Sequence, residues 1–141
     1  MSTTLYIEFE KRVDGVDPNT SDRVCMARWF EELDALATEL GLRTFSSFFS
    51  YDIESFKGMF GGEDEFEAAK QSARPIEYFD VREALKTVRA LRQELGANPP
   101  RFAQHRGKDQ SERLLTELAE CEEVLQAGEK ADTGVRFWVG E

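Results

Sequence analysis

The strongest constraint on this chain is that its two clearest strand patterns lie at opposite ends. Residues 4–10, TLYIEFE, alternate without a fault: Leu5, Ile7 and Phe9 fall on one face, and Tyr6, Glu8 and Glu10 on the other. Residues 135–139, VRFWV, do the same, with Val135, Phe137 and Val139 opposed to Arg136 and Trp138. A period of two with one apolar face specifies a half-buried strand, and such a strand does not persist alone. Pairing the two ends in a small sheet, with the intervening helices over its apolar face, satisfies both.

Everything between them reads mainly as helix. A cap at Ser21 or Asp22 opens a helix expected to run to about Leu40, because Met26, Trp29, Phe30, Leu33, Leu36, Ala37 and Leu40 recur at three- and four-residue steps. Gly41 stands where a left-handed residue would close it. A second helix is expected from about Asp80 to Leu95, with Val81, Leu85, Val88, Leu91 and Leu95 as its buried row and Gly96 as its stop. Asn98-Pro99-Pro100 then forces an extended break. A third helix follows, with Asp109 and Glu112 at capping-box spacing (Ser111 being an alternative cap). Leu114, Leu118, Cys121 and Leu125 form its inner row, Leu115 and Val124 widen it, and Gly128 is its expected end. The fold class that results is α+β: about three main helices packed on a small sheet containing the N- and C-terminal strands. With 141 residues and no internal repeat, one domain spanning 1–141 is expected.

Composition excludes several function classes. Hydrophobic residues make up 40% of the chain, which is too apolar for a disordered polymer. The net charge of −10 disfavours nucleic acid as a partner and favours a protein partner with a basic surface. No stretch approaches the roughly 18 apolar residues of a membrane span, and the start MSTTLYIEFE has no secretory pattern. No membrane association is therefore expected, and the expected location is cytoplasmic. Cys25 and Cys121 then read as reduced, buried thiols. Homo-oligomerisation stays open.

The catalytic inventory is thin. His105 is the only histidine, set among Arg101, Arg106 and Lys108, and no CxxC pair exists. A zinc site of the usual nitrogen–sulfur type is therefore not expected, nor any other cofactor, nor a Cys–His nucleophile. Gly58, Gly61 and Gly62 lack a preceding strand and are followed by acids, which disfavours a phosphate cradle.

The unusual segment is 45–66. Phe45, Phe48, Phe49, Tyr51, Phe56, Phe60 and Phe66 are scattered among serines, glycines and acids, and no single period fits them for long. Short helical turns and loop are expected, ending at the mobile Gly61-Gly62 pair. These rings either complete the core or line a site. For the second case the candidate residues are Phe48, Phe49, Tyr51 and Phe56, with Asp52 or Glu54 as the polar group.

Charge is uneven around this segment. Residues 52–67 carry six carboxylates against Lys57, a net −5. Residues 82–108 carry seven basic side chains against Glu83 and Glu94, a net +5, with Arg82, Lys86 and Arg89 on one helix face. The two regions either neutralise each other or present separate patches.

Taken together, GVDPNTSD, FSSFFSYD, YFDVREALKTVRALRQELGANP and the closing GVRFWV resemble a group of short uncharacterised bacterial proteins. The resemblance implies a bacterial, cytosolic, single-domain protein and brings no site residues with it. Three functions follow as expectations. The first is a non-catalytic, acidic, protein-binding protein of the immunity or neutralising type. The second is a small-molecule-binding domain or enzyme using an aromatic-lined acidic pocket in 45–66. The third is an anion or nucleic-acid binder using 82–108.

Overall fold

A computed structural model describes residues 3–54, 58, 60–97 and 108–140. The two terminal strands pair as their alternation requires. Strand β1 (Thr4–Phe9) runs antiparallel to β2 (Val135–Gly140), with Leu5 opposite Val139, Ile7 opposite Phe137 and Phe9 opposite Val135. The other face sets Tyr6 against Trp138 and Glu8 against Arg136, so one register matches apolar with apolar and acid with base. The fold is α+β, with five α-helices among the described residues.

The first helix differs from expectation. In place of one helix to Leu40 there are two, α1 (Val24–Arg28) and α2 (Phe30–Glu39), separated at Trp29 with φ −114° and ψ 16°. Hydrogen bonding carries across the break, from the Trp29 amide to the Cys25 carbonyl and from the Leu33 amide to the Trp29 carbonyl. The buried Trp29 lies at the bend itself, flanked by these two bonds. Neither Ser21 nor Asp22 caps α1. Its first amides, those of Cys25 and Met26, donate to the Glu117 carboxylate at 3.1 and 2.9 Å, from a helix more than ninety residues away. At the far end Gly41 has φ +73°, and the Leu42 amide reaches back to the Ala37 carbonyl, the closure expected of a left-handed glycine.

Helix α3 (Glu63–Ser72) lies partly inside the segment expected to be loop; helix α4 (Val81–Ala97) and helix α5 (Lys108–Lys130) follow the predicted rows. Asp80 caps α4 through its Oδ1, which accepts from the Arg82 amide at 2.9 Å. Gly96 lies within α4, one residue before its end. Gly128 does not stop α5 either: the helix runs two residues further, and a Cβ at position 128 would meet the Phe9 ring at 2.5 Å. Glycine is present there because a strand side chain packs onto the helix backbone. His105, Arg101, Arg106 and the Pro99-Pro100 break lie outside the described residues.

The core is one contiguous cluster joining the inner face of the sheet to α1, α2, α4 and α5. Cys25 and Cys121 are both buried in it as free thiols. Its most extensive helix–helix contact is between α4 and α5.

Both edges of the two-stranded sheet are occupied by groups that are not regular strands. On the β1 side, Asn19 Oδ1 accepts from the Ile7 amide at 2.9 Å, and Asn19 Nδ2 donates to the Ile7 carbonyl at 2.8 Å. Arg23 serves Leu5 similarly: its carbonyl accepts from the Leu5 amide, and its Nη1 donates to the Leu5 carbonyl. On the β2 side, Phe79 exchanges two backbone bonds with Val135, and the Ser50 amide donates to the Phe137 carbonyl. A small sheet with its edges closed in this way does not present a template for further pairing along β1 and β2.

Candidate functional site

The aromatic segment divides into an inner and an outer set. Phe45 and Phe48 point inward, each within 6.0 Å of the Phe137 ring centroid, and both are fully buried. A 3-10 turn at Ser46–Phe48 produces this, since it sets Phe45 and Phe48 one turn apart on one side. From Phe49 the chain becomes extended, with φ −77° and ψ 133°. Phe49 tilts against Phe30, and Tyr51 stands edge-on to Phe49 at 6.2 Å. Phe60 packs edge-on to Phe66, the one buried residue of α3, at 5.6 Å.

Opposite this wall runs 73–79, the connection from α3 into α4. It is held to the sheet by the Phe79–Val135 bonds and to the aromatic wall by the Glu77 amide, which donates to Ser50 Oγ at 2.9 Å. Between the two lies a groove of about 670 Å³. Phe49, Tyr51, Ile53, Phe60 and Phe79 give it an apolar surface, and Ser50, Arg74 and Glu77 are among its polar groups. That volume is within the range of ligand sites in proteins.

The six sequence candidates are therefore dispersed. Phe49 and Tyr51 line the groove, whereas Phe48 belongs to the core beneath it. Asp52 turns back on its own chain, its Oδ1 accepting from the Glu54 amide at 3.1 Å. Glu54 pairs with Lys70 of α3 at 2.6 Å, and neither carboxylate is part of the lining. Phe56 lies outside the described residues. Lys70 is held above its ordinary pKa by that hydrogen bond and by the charge of Glu54.

Polar groups around the groove are largely engaged in holding it. The Arg43 guanidinium covers the Phe48 and Phe79 rings, 4.4 and 5.0 Å from their centroids, and donates to Ser47 Oγ and to the Ser47 carbonyl. Ser47 Oγ donates in turn to the Thr44 carbonyl. Buried Arg136 donates to the Ser50 carbonyl at 2.7 Å, pairs with Glu8 and stacks on Trp138 at 4.4 Å. Ser50 is thereby fixed at its amide, carbonyl and hydroxyl oxygen, which leaves its hydroxyl proton able to donate. Arg74 makes no ion pair among the described residues.

Among the described residues the α4 basic side chains make no ion pair with the acidic segment. Arg89 and Arg92 both pair with Glu122 on α5, and Arg82 pairs with Asp80 and Asp132. Beside the groove Glu54 is offset by Lys70, and the sequence around both walls remains acidic in sum. Across 46–79 the sequence has seven carboxylates (Asp52, Glu54, Glu63, Asp64, Glu65, Glu67, Glu77) against three cations (Lys57, Lys70, Arg74), a net −4.

Neither thiol is placed for nucleophilic chemistry. Burial, and next the carboxylate of Glu117, pushes Cys25 up to about 11. Burial likewise pushes Cys121 up to about 12, against the opposing effect of Arg23. Among the described residues no three His, Cys, Asp or Glu side chains cluster as metal ligands would, and no helix is long and apolar enough to cross a membrane.

No protein-family model matches the chain, and no curated protein and no solved structure matches it.

Sequence reasoning missed Arg74, Glu77 and Ser50 as lining residues, because the groove forms only when 73–79 returns to the sheet. It also missed Arg23, which is fully buried and donates to Glu120 through Nε at 2.8 Å and Nη2 at 2.7 Å. Its Nη2 also reaches the Pro18 carbonyl. For Arg136 a signal existed: it and Glu8 occupy the polar faces of two strands expected to pair.

Proposed function

We propose that this protein is a non-catalytic binding protein that takes a basic protein partner at the groove between 46–53 and 73–79. The observation that carries this reading is exposed apolar surface at a groove whose walls belong to an acidic stretch of the chain. Among the described residues three large apolar side chains are exposed, Leu40, Tyr51 at 44% and Ile76 at 41%. Tyr51 lines the groove, and Ile76 lies in the 73–79 segment beside it without being part of the lining. An apolar anchor inside a charged rim is how specific protein contacts are commonly built, the anchor giving affinity and the rim giving rate and choice of partner. Among the described residues the groove lining has no cysteine or histidine, and its one carboxylate, Glu77, is exposed. Those features support binding over catalysis, and buried reduced thiols fit a cytoplasmic setting.

The test is retention of a basic protein of the host cell on the immobilised chain. Wild type is expected to retain it, and Tyr51→Ala with Ile76→Ser to release it. Binding is expected to weaken as salt rises from about 50 to about 500 mM. Equal retention by both proteins, or indifference to salt, overturns the reading.

The groove's volume, together with the unpaired Arg74, favours one alternative: a small aromatic molecule carrying an acidic group. Such a ligand would protect Tyr51 without any dependence on the acidic rim, and Arg74→Gln would abolish it.

A further inference from the structure

The chain from 73 to 79 has an inner and an outer edge, and only the inner one is used. Phe79 directs its amide and carbonyl at Val135, and Glu77 directs its amide at Ser50. Ala73 is extended at φ −72° and ψ 144°, and Arg74 is held extended because it precedes Pro75. In an extended chain the backbone groups of alternate residues point to the same side. Residues 75, 77 and 79 therefore spend theirs inward, and residues 76 and 78 present theirs outward. The missing amide of Pro75 falls on the inner side, where it removes nothing from the outer edge. Among the described residues no hydrogen bond is made by the backbone of Ile76 or Tyr78. Arg74, Pro75, Ile76 and Glu77 are exposed, and Tyr78 is half-buried.

We infer that this outer edge accepts an extended, basic segment of the partner protein by strand addition, an inference that rests on the groove being the binding site. The added strand hydrogen-bonds to Ile76 and Tyr78, as extended peptides do at other open sheet edges. Pro75, Glu77 and Phe79 line the groove. An added strand therefore lays alternate side chains along that same face, one of them apolar and beside Tyr51 and Phe60. Its lysines or arginines suit the net −4 of residues 46–79, the stretch that supplies both walls. Backbone pairing supplies affinity, and the groove and rim supply the sequence preference: basic residues flanking an apolar one, in a segment free of proline.

The experiment uses a fluorescein-labelled nonapeptide of alternating lysine and threonine about a central phenylalanine, titrated against the full chain. Two further versions carry N-methyl groups on alternate backbone amides, one set on each edge of the peptide, and a fourth replaces lysine with glutamate. Saturable binding of the parent is expected, with a loss of about tenfold or more for one N-methyl set and little loss for the other. The Ile76 and Tyr78 amides are expected to become protected from hydrogen exchange. Ile76→Pro, at an exposed position, is expected to match the loss while circular dichroism stays unchanged. If both N-methyl sets bind as well as the parent and Tyr51→Ala still abolishes binding, strand addition is overturned and the groove reading stands. If the glutamate version binds as tightly, the basic partner and the groove reading fall together. If no peptide binds although a basic protein is retained as described above, strand addition is again overturned and the groove reading survives.

Discussion

Two regions of this molecule handle charge in opposite ways. Around α1 and α5 charges are buried and saturated. Arg23 is sealed from solvent, yet its guanidinium meets both oxygens of Glu120, two backbone carbonyls and Asn19 Oδ1 at 3.3 Å. Glu117, buried on the same helix, holds two α1 amides and accepts an ion pair from Arg113. Around α3 the charges are exposed and mostly of one sign. That helix buries only Phe66 and is tethered by the Phe60 ring and the exposed Glu54–Lys70 pair. The first region specifies one arrangement of the chain, and the second retains surface chemistry for something outside it.

The comparison breaks most directly at Arg23. Replacement by alanine leaves Glu120 without its partner and strips donors from the Leu5 and Pro18 carbonyls. A loss of about 3–5 kcal/mol is expected from urea denaturation, as for other buried pairs opened on one side. A loss of under about 1 kcal/mol would show that this region is no more rigidly specified than α3.

Gly128→Ala ranks next. In an open helix that change stabilises by roughly 1 kcal/mol, but here the new methyl meets the Phe9 ring. The overpacking term wins, with a net destabilisation of about 1–3 kcal/mol expected. Phe9→Leu in the same chain should restore part of it, which a double-mutant cycle measures.

The buried thiols give a smaller effect with a definite sign. Their pKa values are raised in the folded chain from 9.0 to about 11 and about 12, so above pH 9 the unfolded chain binds fewer protons than the folded one. Stability is therefore intact below about pH 9 and declines as pH rises from there towards 12. Urea midpoints at neutral and alkaline pH check this, and the Cys25→Ala/Cys121→Ala variant should show a shallower decline. A thiol reagent should label neither residue until the chain unfolds.

The smallest effect belongs to the exposed pair. Glu54→Gln is expected to leave the global midpoint where it was while speeding hydrogen exchange within α3, because an exposed pair tethers one helix and not the core. A fall in the global midpoint would place α3 inside the cooperative unit and erase the contrast.

What was legible in the sequence follows the same division. The end strands were readable because a period of two survives only if one face is buried, and β1 and β2 pair accordingly. The α4 and α5 rows were readable for the same reason at a period of 3.6. The break at Trp29 was not, since the apolar spacing continues through it, and neither was the capping of α1 by Glu117, which is remote in sequence. Gly128 has the signature of a helix stop, and only the approach of Phe9 shows otherwise. α3 was passed over because EDEFEAAKQS buries a single residue and so has no row to see. The groove was half legible: its aromatic wall is marked by composition, but nothing local announces that 73–79 forms the other wall.

The pairing of β1 with β2 also affects how the chain is made. Thr4 and its partner Gly140 stand at far-separated positions in the sequence, so β1 is synthesised long before the strand it pairs with. Until residues 135–140 emerge from the ribosome, β1 has a bare edge and Leu5, Ile7 and Phe9 have no partner strand. On the ribosome Asn19 and Arg23 are β1 edge partners already available, since they belong to the fifteen or so residues that follow it. A local clasp on one edge of a strand whose mate is made much later is a safeguard for the nascent chain, and it predicts that Asn19→Ala lowers soluble yield in cells more than it lowers the stability of the folded protein.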